Sequence, residues 1–255
     1  MQRFLVALIA LVAIACSPSC GGSDDIADQP AHSTDMTVVA TTTTPATPPN
    51  VGVPPLSPQA LAAGFVDIRS VVPDAIVDLR YATPNNFVGT PMYPSDARCL
   101  VHESMAPGLA AAADKLRAGG EVLVFWDCYR PHDVQVRMWE AMPNPNWVAR
   151  PGTTARSHET GRSVDVTVAS VRGTCPATQQ VGGGCLVDMG TDFDDFSPRA
   201  LAYATTGVSE QAQKNRARLR DAMNAGGLTV YTGEWWHFDG TGANIEREIL
   251  DVPVN

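Results

Sequence analysis

The fold is decided by a stretch in the second half of the chain that reads SHETGRSVDVTV over residues 157–168. From Ser163 onward, valines alternate with polar residues, and this period of two predicts a strand with one apolar face. Asp165 lies on the opposite face, so its carboxylate points away from the apolar surface. His158 precedes the strand, and Gly161 allows the chain to turn between them. The stretch therefore predicts that His158 and Asp165 converge on one ion.

The segments around this strand mix strands and helices without a regular alternation. Strands are predicted where short β-branched and aromatic runs occur, at 65–68, 75–79, 121–126, 163–168, 228–231 and 234–238. Helices are predicted from apolar spacing and end signals, at 105–118, after Pro131 and from Ser209 to Gly226. A turn at Pro73-Asp74 is expected between the first two strands. The mixture predicts an α+β fold: a single domain with a mainly antiparallel sheet, flanking helices and the metal site on the sheet.

A second polar cluster, GEWWH at residues 233–237, offers further ligands. In a regular strand Glu234 and His237 would point to opposite faces, but Gly233 permits a turn or a bulge there. Two histidines and one carboxylate, with one position left for water, are the ligands of a catalytic zinc site. Such a metal lowers the pKa of water toward neutrality, and Glu234 can accept the proton.

Each of these residues also has an ordinary structural explanation. A histidine near a strand end is commonly exposed or hydrogen-bonded in a core, Asp165 can cap a turn, and Trp235 and Trp236 are more often core residues. Other hydrolytic motifs are missing from the sequence, since it contains neither Gly-x-Ser-x-Gly nor His-Glu-x-x-His, and no Ser stands three residues before a Lys. It is the combination of residues that favours a metal site.

The charge balance argues against a nucleic-acid partner. The chain of 255 residues has 18 Lys plus Arg and 27 Asp plus Glu, for a formal net charge of −9. Neutralising phosphates requires clustered cations, and the sequence has only two lysines, Lys115 and Lys214. No polybasic patch for a membrane surface is expected either.

The first 60 residues are predicted to lie outside the folded domain. A positively charged start and a short apolar run end in Ala-Ile-Ala before Cys16, so residues 1–16 are predicted to be a signal peptide with a lipobox-like end and a lipidated Cys16. Plain cleavage after Ala15 is the alternative. Residues 17–60 are rich in Thr and Pro and are predicted to form a disordered tether, which leaves 61–255 as the catalytic domain. The protein is expected to be exported and anchored on the outer face of the membrane through that lipid, or otherwise secreted or periplasmic.

Four cysteines lie in the predicted domain, and export exposes them to oxidising conditions. Cys175 and Cys185 flank a Gly-rich loop, which favours a local disulfide between them. Cys99 would then pair with Cys128. A four-cysteine zinc site is the alternative, although no Cys-x-x-Cys spacing supports it.

Taken together, these motifs resemble the VanX-type D-alanyl-D-alanine dipeptidases, a family of zinc metallopeptidases. His158, Gly161 and Asp165, with Ser157 directly before the histidine, are similar to the His, Gly and Asp positions of the family's Ser-x-His-x-x-Gly-x-Ala-x-Asp motif. Residues 234–237 are similar to its Glu-x-Trp-His motif. Other blocks of the chain look like the family's remaining blocks in the same order, at 78–83, 86–87, 127–131 and 189–194. The resemblance extends over about residues 65–240.

The resemblance implies a catalytic site with one Zn²⁺ per chain, bound by His158, Asp165 and His237. It implies that Glu234 is the general base and later the general acid of the reaction. It implies that Arg130 stabilises the negative oxygen that develops in the transition state.

The resemblance also implies how substrate is held. Asp194 would bind the free amino group of the substrate, and Ser157 and Tyr81 would contact the substrate as well. The alternative for Asp194 is a surface carboxylate within the acidic run 192–196.

Two positions depart from the family's pattern. Ser163 replaces the usual Ala of the first motif, and Arg156 stands where the best-known members have a small polar residue, which puts pocket size and substrate preference in question. Arg130 has a structural alternative, a salt bridge to Asp127 or Asp133.

The implied function is zinc-dependent hydrolysis of D-alanyl-D-alanine by an exported enzyme, linked to the turnover of cell-wall peptides. The expected partner is a small D-amino-acid dipeptide. One alternative is a zinc D,D-carboxypeptidase or endopeptidase that acts on longer peptidoglycan peptides. Another is a zinc-binding, wall-associated protein without catalysis. Asp194 separates the first two readings, because a bound amino group blocks extension of the substrate at that end.

Overall fold

The protein is described here by a computed structural model over residues 52–255. Its strands are β1 (Phe65–Asp67), β2 (Ile76–Val77), β3 (Leu100–His102), β4 (Glu121–Asp127), β5 (Ser163–Ser170), β6 (Gln180–Val181), β7 (Gly184–Leu186), β8 (Thr229–Val230) and β9 (His237–Asp239). Its helices are α1 (Pro58–Ala62), α2 (Ile68–Val71), α3 (Ala106–Arg117), α4 (His132–Ala141) and α5 (Glu210–Ala225). The predicted signal peptide, the lipid site at Cys16 and the predicted tether as far as residue 51 lie outside the described residues.

One seven-stranded sheet organises the domain. Its strands follow the order β2-β4-β5-β7-β6, and β9 pairs with both β5 and β8. The β2–β4 pair is parallel, and the other strand pairs of this sheet are antiparallel. A separate antiparallel pair is formed by β1 and β3. The architecture confirms the predicted α+β domain with a mainly antiparallel sheet.

The hydrophobic core forms around β4 and β5, which are buried along almost their whole length. Helix α3 packs Leu109 and Leu116 into this core, and burying a leucine side chain contributes about 1.5 to 3 kcal/mol. Helix α5 begins after Ser209, whose Oγ accepts a hydrogen bond from Ala212 N at 3.1 Å. Gly108 and Gly226 let α3 and the end of α5 approach closely, because a Cβ at either position would collide with the other's backbone.

The turn predicted at Pro73-Asp74 is present between the first two strands, and these strands do not pair with each other. Helix α2 follows β1 directly, because the Asp67 carboxylate caps it by accepting a hydrogen bond from Arg69 N at 2.8 Å. Consequently β1 pairs with β3, while β2 joins the main sheet beside β4. Both strands exist as predicted, but they belong to different sheets.

The packed chain begins upstream of residue 61. The guanidinium of Arg98 donates hydrogen bonds to Pro54 O at 2.8 Å and Pro55 O at 2.9 Å, and to the Asp67 carboxylate at 2.8 Å. The backbone N of Arg98 donates to Val254 O at 2.5 Å. Arg98 is itself buried. Through these hydrogen bonds it binds residues near both ends of the described chain.

Both predicted disulfides are present. Cys99, directly before β3, is bonded to Cys128, directly after β4, and their Cα atoms are 5.2 Å apart. Cys175 and Cys185 close the loop after β5, with Cα atoms 5.8 Å apart. Over residues 52–255, the helices are too short or too polar to cross a bilayer.

Candidate active site

Three neighbouring strands bring acidic and histidine side chains into one row. Asp165 on β5 lies opposite Asp127 on β4 and opposite His237 on β9. His158 enters from the single helical turn Ser157–Thr160 that precedes β5. Gly161 ends this turn with φ of 63°, the left-handed conformation that glycine tolerates best.

The side chains of His158, Asp165 and His237 converge, as the sequence predicted. His158 Nε2 lies 3.0 Å from His237 Nδ1, and Asp165 Oδ1 lies 3.3 Å and 3.1 Å from these two nitrogens. Ligand atoms bound tetrahedrally at about 2.1 Å from a zinc ion are separated by about 3.4 Å. The spacing of the three atoms therefore fits a common metal ion.

The outer hydrogen bonds of the two histidines orient their lone pairs toward this point. Cys128 O lies 2.8 Å from His158 Nδ1 and can only accept, so His158 Nε2 is left as the acceptor. The Asp239 carboxylate lies 3.0 Å from His237 Nε2 and likewise leaves His237 Nδ1 as the acceptor. Three acceptors in mutual contact repel one another unless a cation lies among them, so the donor set fits a metal.

Without a metal ion, a proton on His237 Nδ1 can take the place of the cation between His237 and Asp165. Burial lowers the pKa of His237, but the hydrogen bonds with Asp165 and Asp239 outweigh burial and raise the pKa to about 10. Burial also opposes ionisation of Asp165, yet the neighbouring His158 and His237 hold the pKa of this carboxyl below its usual range.

Glu234 reaches the same point from a turn. Its backbone N donates to Tyr231 O at 3.2 Å, so β9 begins at His237 and not at residue 234 as predicted. This turn removes the conflict between the faces of Glu234 and His237, and Glu234 Oε2 lies 3.9 Å from His237 Nδ1. A Cβ at residue 233 would collide with the half-exposed Tyr231 ring in its present position, so glycine lets this ring pack over the turn. Burial raises the pKa of Glu234 to about 7, although His237 opposes the change.

Arg130 is held rigidly at the edge of the site. Its Nε and Nη2 donate to Asp127 Oδ2 at 3.0 Å and 2.7 Å, and its Nη1 donates to Gln135 Oε1 at 2.8 Å. The alternative partner Asp127 is therefore real, and it also orients the guanidinium, whose Nη2 lies 3.9 Å from Asp165 Oδ2. A guanidinium fixed beside a metal-binding site can stabilise the negative oxygen that develops in the transition state.

Asp194 faces the cavity and does not lie on the open surface. The buried Tyr81 hydroxyl lies 3.1 Å and 3.0 Å from the two Asp194 oxygens and shares its single proton between them. Burial raises the pKa of Asp194 well above its usual value, and the negative charges of Asp165 and Glu234 add to the effect. Tyr81 thus touches the site chiefly by orienting this carboxylate.

Backbone strain coincides with two predicted substrate-binding residues. Among residues 52–255, the non-glycine residues with positive φ are Ser157 at 54° and Asp194 at 56°. Such conformations cost about 1 to 3 kcal/mol and persist where the surroundings enforce them, often at functional sites. Ser157 is enforced by its N–H, which donates to Ala243 O at 2.7 Å, and by its carbonyl, which accepts from Arg162 N at 3.2 Å.

A cavity of about 350 Å³ connects these groups. All of the predicted metal, catalytic and substrate-binding residues line it, namely Tyr81, Arg130, Ser157, His158, Asp165, Asp194, Glu234 and His237. Arg150 and Arg156 line its exposed rim. The structure thus brings together residues from five separate stretches of sequence.

Several supporting residues escaped the sequence analysis as parts of the site. The fully buried Asp127 holds Arg130 and accepts from the Tyr93 hydroxyl at 2.6 Å. Asp239 orients His237, and its position two residues later on the same strand face was the signal that could have found it. Ser163 donates to Asp239 at 2.5 Å, a partner 76 residues away that no local pattern reveals.

Two histidines and a carboxylate that fit a metal, beside a buried acid and a fixed arginine, define a metal-dependent hydrolase site. Comparison of the sequence with known protein families identifies the family to which this hydrolase belongs. Residues 61–255 match the model of the Peptidase M15 family, described as D-ala-D-ala dipeptidase. The chain belongs to this family and is a peptidase.

Two curated relatives agree with the assignment. The chain is 33% identical over 175 residues to a D-alanyl-D-alanine dipeptidase of Escherichia coli (strain K12), covering 69% of this chain and 83% of the relative. It is 27% identical over 209 residues to a D-alanyl-D-alanine dipeptidase of Enterococcus faecium, covering 75% of this chain and 98% of the relative.

Proposed function

We propose that this domain hydrolyses the dipeptide D-alanyl-D-alanine in a zinc-dependent reaction. The names of its relatives support this substrate. The observation that carries the proposal is Asp194, a carboxylate in the same cavity as the metal group. Among the described side chains its hydrogen-bond partner is the Tyr81 hydroxyl, and the ammonium group of a short peptide would supply the positive charge that favours the ionised form of this carboxyl.

Zinc suits this donor set, because two imidazoles and one carboxylate with an open position are the ligands of many zinc peptidases. His158, Asp165 and His237 would hold the ion. When bound, it would supply Lewis-acid polarisation of the scissile carbonyl and a lowered pKa for water.

The remaining steps belong to the side chains of this chain. Asp194 binds the amino group and fixes the substrate's position along the cavity. Glu234 takes a proton from the attacking water and returns it to the leaving amine, for which a pKa near 7 is well matched. Arg130, locked by Asp127 and Gln135, stabilises negative charge on the carbonyl oxygen.

One feature favours the longer-peptide alternative, a zinc D,D-carboxypeptidase or endopeptidase. Arg150 and Arg156 are exposed on the rim of the cavity, where they could meet carboxylates of a larger wall peptide. Substrate length is therefore the property to test.

The test compares D-Ala-D-Ala with N-acetyl-D-Ala-D-Ala on the zinc-loaded domain. Because an acylated amino end leaves Asp194 without a charge partner, we expect kcat/KM for the acetylated peptide to be at least 100-fold lower. Asp194→Asn, which preserves size, should reduce cleavage of the free dipeptide and narrow this gap. Faster cleavage of a wall pentapeptide than of the dipeptide would replace this proposal with the carboxypeptidase function.

We further propose that the enzyme is exported and linked to cell-wall peptide turnover. The support is the sequence of residues 1–16, which lies outside the described structure. Mass spectrometry of the protein from its native membrane should find a diacylglyceryl group on an N-terminal Cys16. A Cys16→Ala variant that is released from the membrane is the matched control, and an unmodified Cys16 would support the secreted alternative.

A further inference from the structure

A chain of hydrogen bonds joins the wall of the cavity to the metal ligand His237. Ser157 Oγ lies 2.9 Å from Ser163 Oγ, Ser163 Oγ lies 2.5 Å from Asp239 Oδ1, and Asp239 Oδ1 lies 3.0 Å from His237 Nε2. Ser163 is fully buried, whereas Ser157 lines the cavity. Ser163 is also the residue that stands where the related motif usually has Ala.

The directions of these bonds follow from the donors that each group possesses. The Asp239 carboxylate can only accept, so the single hydroxyl proton of Ser163 is donated to Asp239. The oxygen of Ser163 then has only lone pairs left, and it accepts the proton of Ser157. The hydroxyl proton of Ser157 is consequently directed into the protein, and only its lone pairs remain for a partner in the cavity that Ser157 lines.

We propose that Ser163 is a positioning residue that makes Ser157 a hydrogen-bond acceptor toward the substrate. An alanine at residue 163 would leave the Ser157 hydroxyl free to rotate and to donate. At its own position Ser157 favours a substrate group with an N–H, such as a primary amide, over a carboxylate, so the terminal carboxylate of D-Ala-D-Ala is left to other donors such as Arg156 on the rim. The inference rests on the proposed function, because it concerns a dipeptide in this cavity.

The test measures binding with two uncleavable analogues of D-Ala-D-Ala, in which a CH₂–NH unit replaces the scissile amide. One analogue ends in a free carboxylate and the other in a primary amide. Calorimetry on the zinc-loaded enzyme gives the ratio of their Kd values. We expect Ser163→Ala to shift this ratio about 5- to 10-fold toward the free acid, because the released hydroxyl can donate to a carboxylate.

A double-mutant cycle separates this role from general packing. In a Ser157→Ala background, the Ser163→Ala change should leave the ratio within about 2-fold, since the hydroxyl it controls is gone. The cleavable dipeptide ends in a free carboxylate, so Ser163→Ala should lower its KM, and this effect should also disappear in the Ser157→Ala background. Metal affinity by chelator competition and the melting temperature check that Ser163→Ala retains the site and the fold.

An unchanged ratio in Ser163→Ala, or an equal shift in the presence and absence of Ser157, would overturn the inference and leave the proposed function intact. Failure of the unmodified enzyme both to bind the analogues and to cleave D-Ala-D-Ala would contradict the proposed function, and this inference with it.

Discussion

At the scale of single residues, Glu234 and His237 are three positions apart and meet the same point, yet their tasks differ. His237 Nδ1 is one of the three predicted ligand atoms and lies 3.0 Å from His158 Nε2. Glu234 stops 3.9 Å from that nitrogen, close enough to exchange protons through water but outside the group of three ligand atoms.

We therefore expect Glu234→Ala to retain about one zinc per chain and to lose about 10²- to 10⁴-fold in kcat, the usual contribution of a general base. His237→Ala should lose most of the metal as well as activity. Metal content by atomic emission and kcat on D-Ala-D-Ala are the measurements. His102→Ala, which removes a histidine outside the cavity, is the control. Loss of metal from Glu234→Ala would make Glu234 a ligand.

At the scale of elements, a disulfide positions part of the predicted metal site. Cys128 is bonded to Cys99, and its carbonyl oxygen fixes the ring of His158 at 2.8 Å. Groups that orient metal-bound histidines typically affect metal affinity 10- to 100-fold. The bond between β3 and β4 is thus part of the site's support, although it lies outside the cavity.

Replacing Cys99 and Cys128 together by alanine should weaken zinc binding by about 10-fold or more. Replacing Cys175 and Cys185 is the matched control, because that bridge spans the far end of β5. Chain-entropy arguments give both bridges a similar stabilisation of about 3 kcal/mol, so the melting temperatures should fall comparably. Equal zinc affinities in the two variants, measured by chelator competition, would contradict the role of Cys128.

The elements that the sequence predicted well are those with local causes. Helix α5 has its cap at Ser209, and β4 is a continuous apolar run, so both follow from neighbouring residues. The partners of β1 and β2 and the turn at Glu234 depend on contacts with distant strands, and no period in the sequence encodes them.

The same division holds for the site. The convergence of His158, Asp165 and His237 could be predicted because their motifs are compact in sequence and combine into a familiar donor set. The roles of Asp127, Ser163 and Asp239 could not, since each acts through a partner that only folding brings near, as with Tyr93 and Asp127 at 34 residues apart.

At the scale of the whole molecule, a buried ion pair between Arg98 and Asp67 holds the first residues of the domain in place. Arg98 and Arg69 both bind the Asp67 carboxylate, but Arg98 is 8% exposed and Arg69 is 39% exposed. Removing one partner of a buried pair is costly, whereas an exposed partner contributes little. The two arginines therefore form a natural comparison.

Arg98→Ala should lower the free energy of unfolding by about 2 to 4 kcal/mol, because Pro54 O, Pro55 O and Asp67 all lose a donor. Arg69→Ala should cost less than about 1 kcal/mol. Urea denaturation measures both values, and limited proteolysis should cut residues 52–57 faster in Arg98→Ala alone. Similar losses of unfolding free energy in the two variants would show that the hydrogen bonds from Arg98 to Pro54 O and Pro55 O do not stabilise the domain.

The hold of Arg98 on Pro55 O and on Val254 O has one more consequence. Because one residue binds backbone near both ends of the described chain, these ends lie close together. The fold therefore does not require the chain to be interrupted at this place. A circular permutant that joins residue 255 to residue 52 through a short Gly-Ser linker, and opens at the exposed Gly173 after β5, should fold and assemble the same cavity.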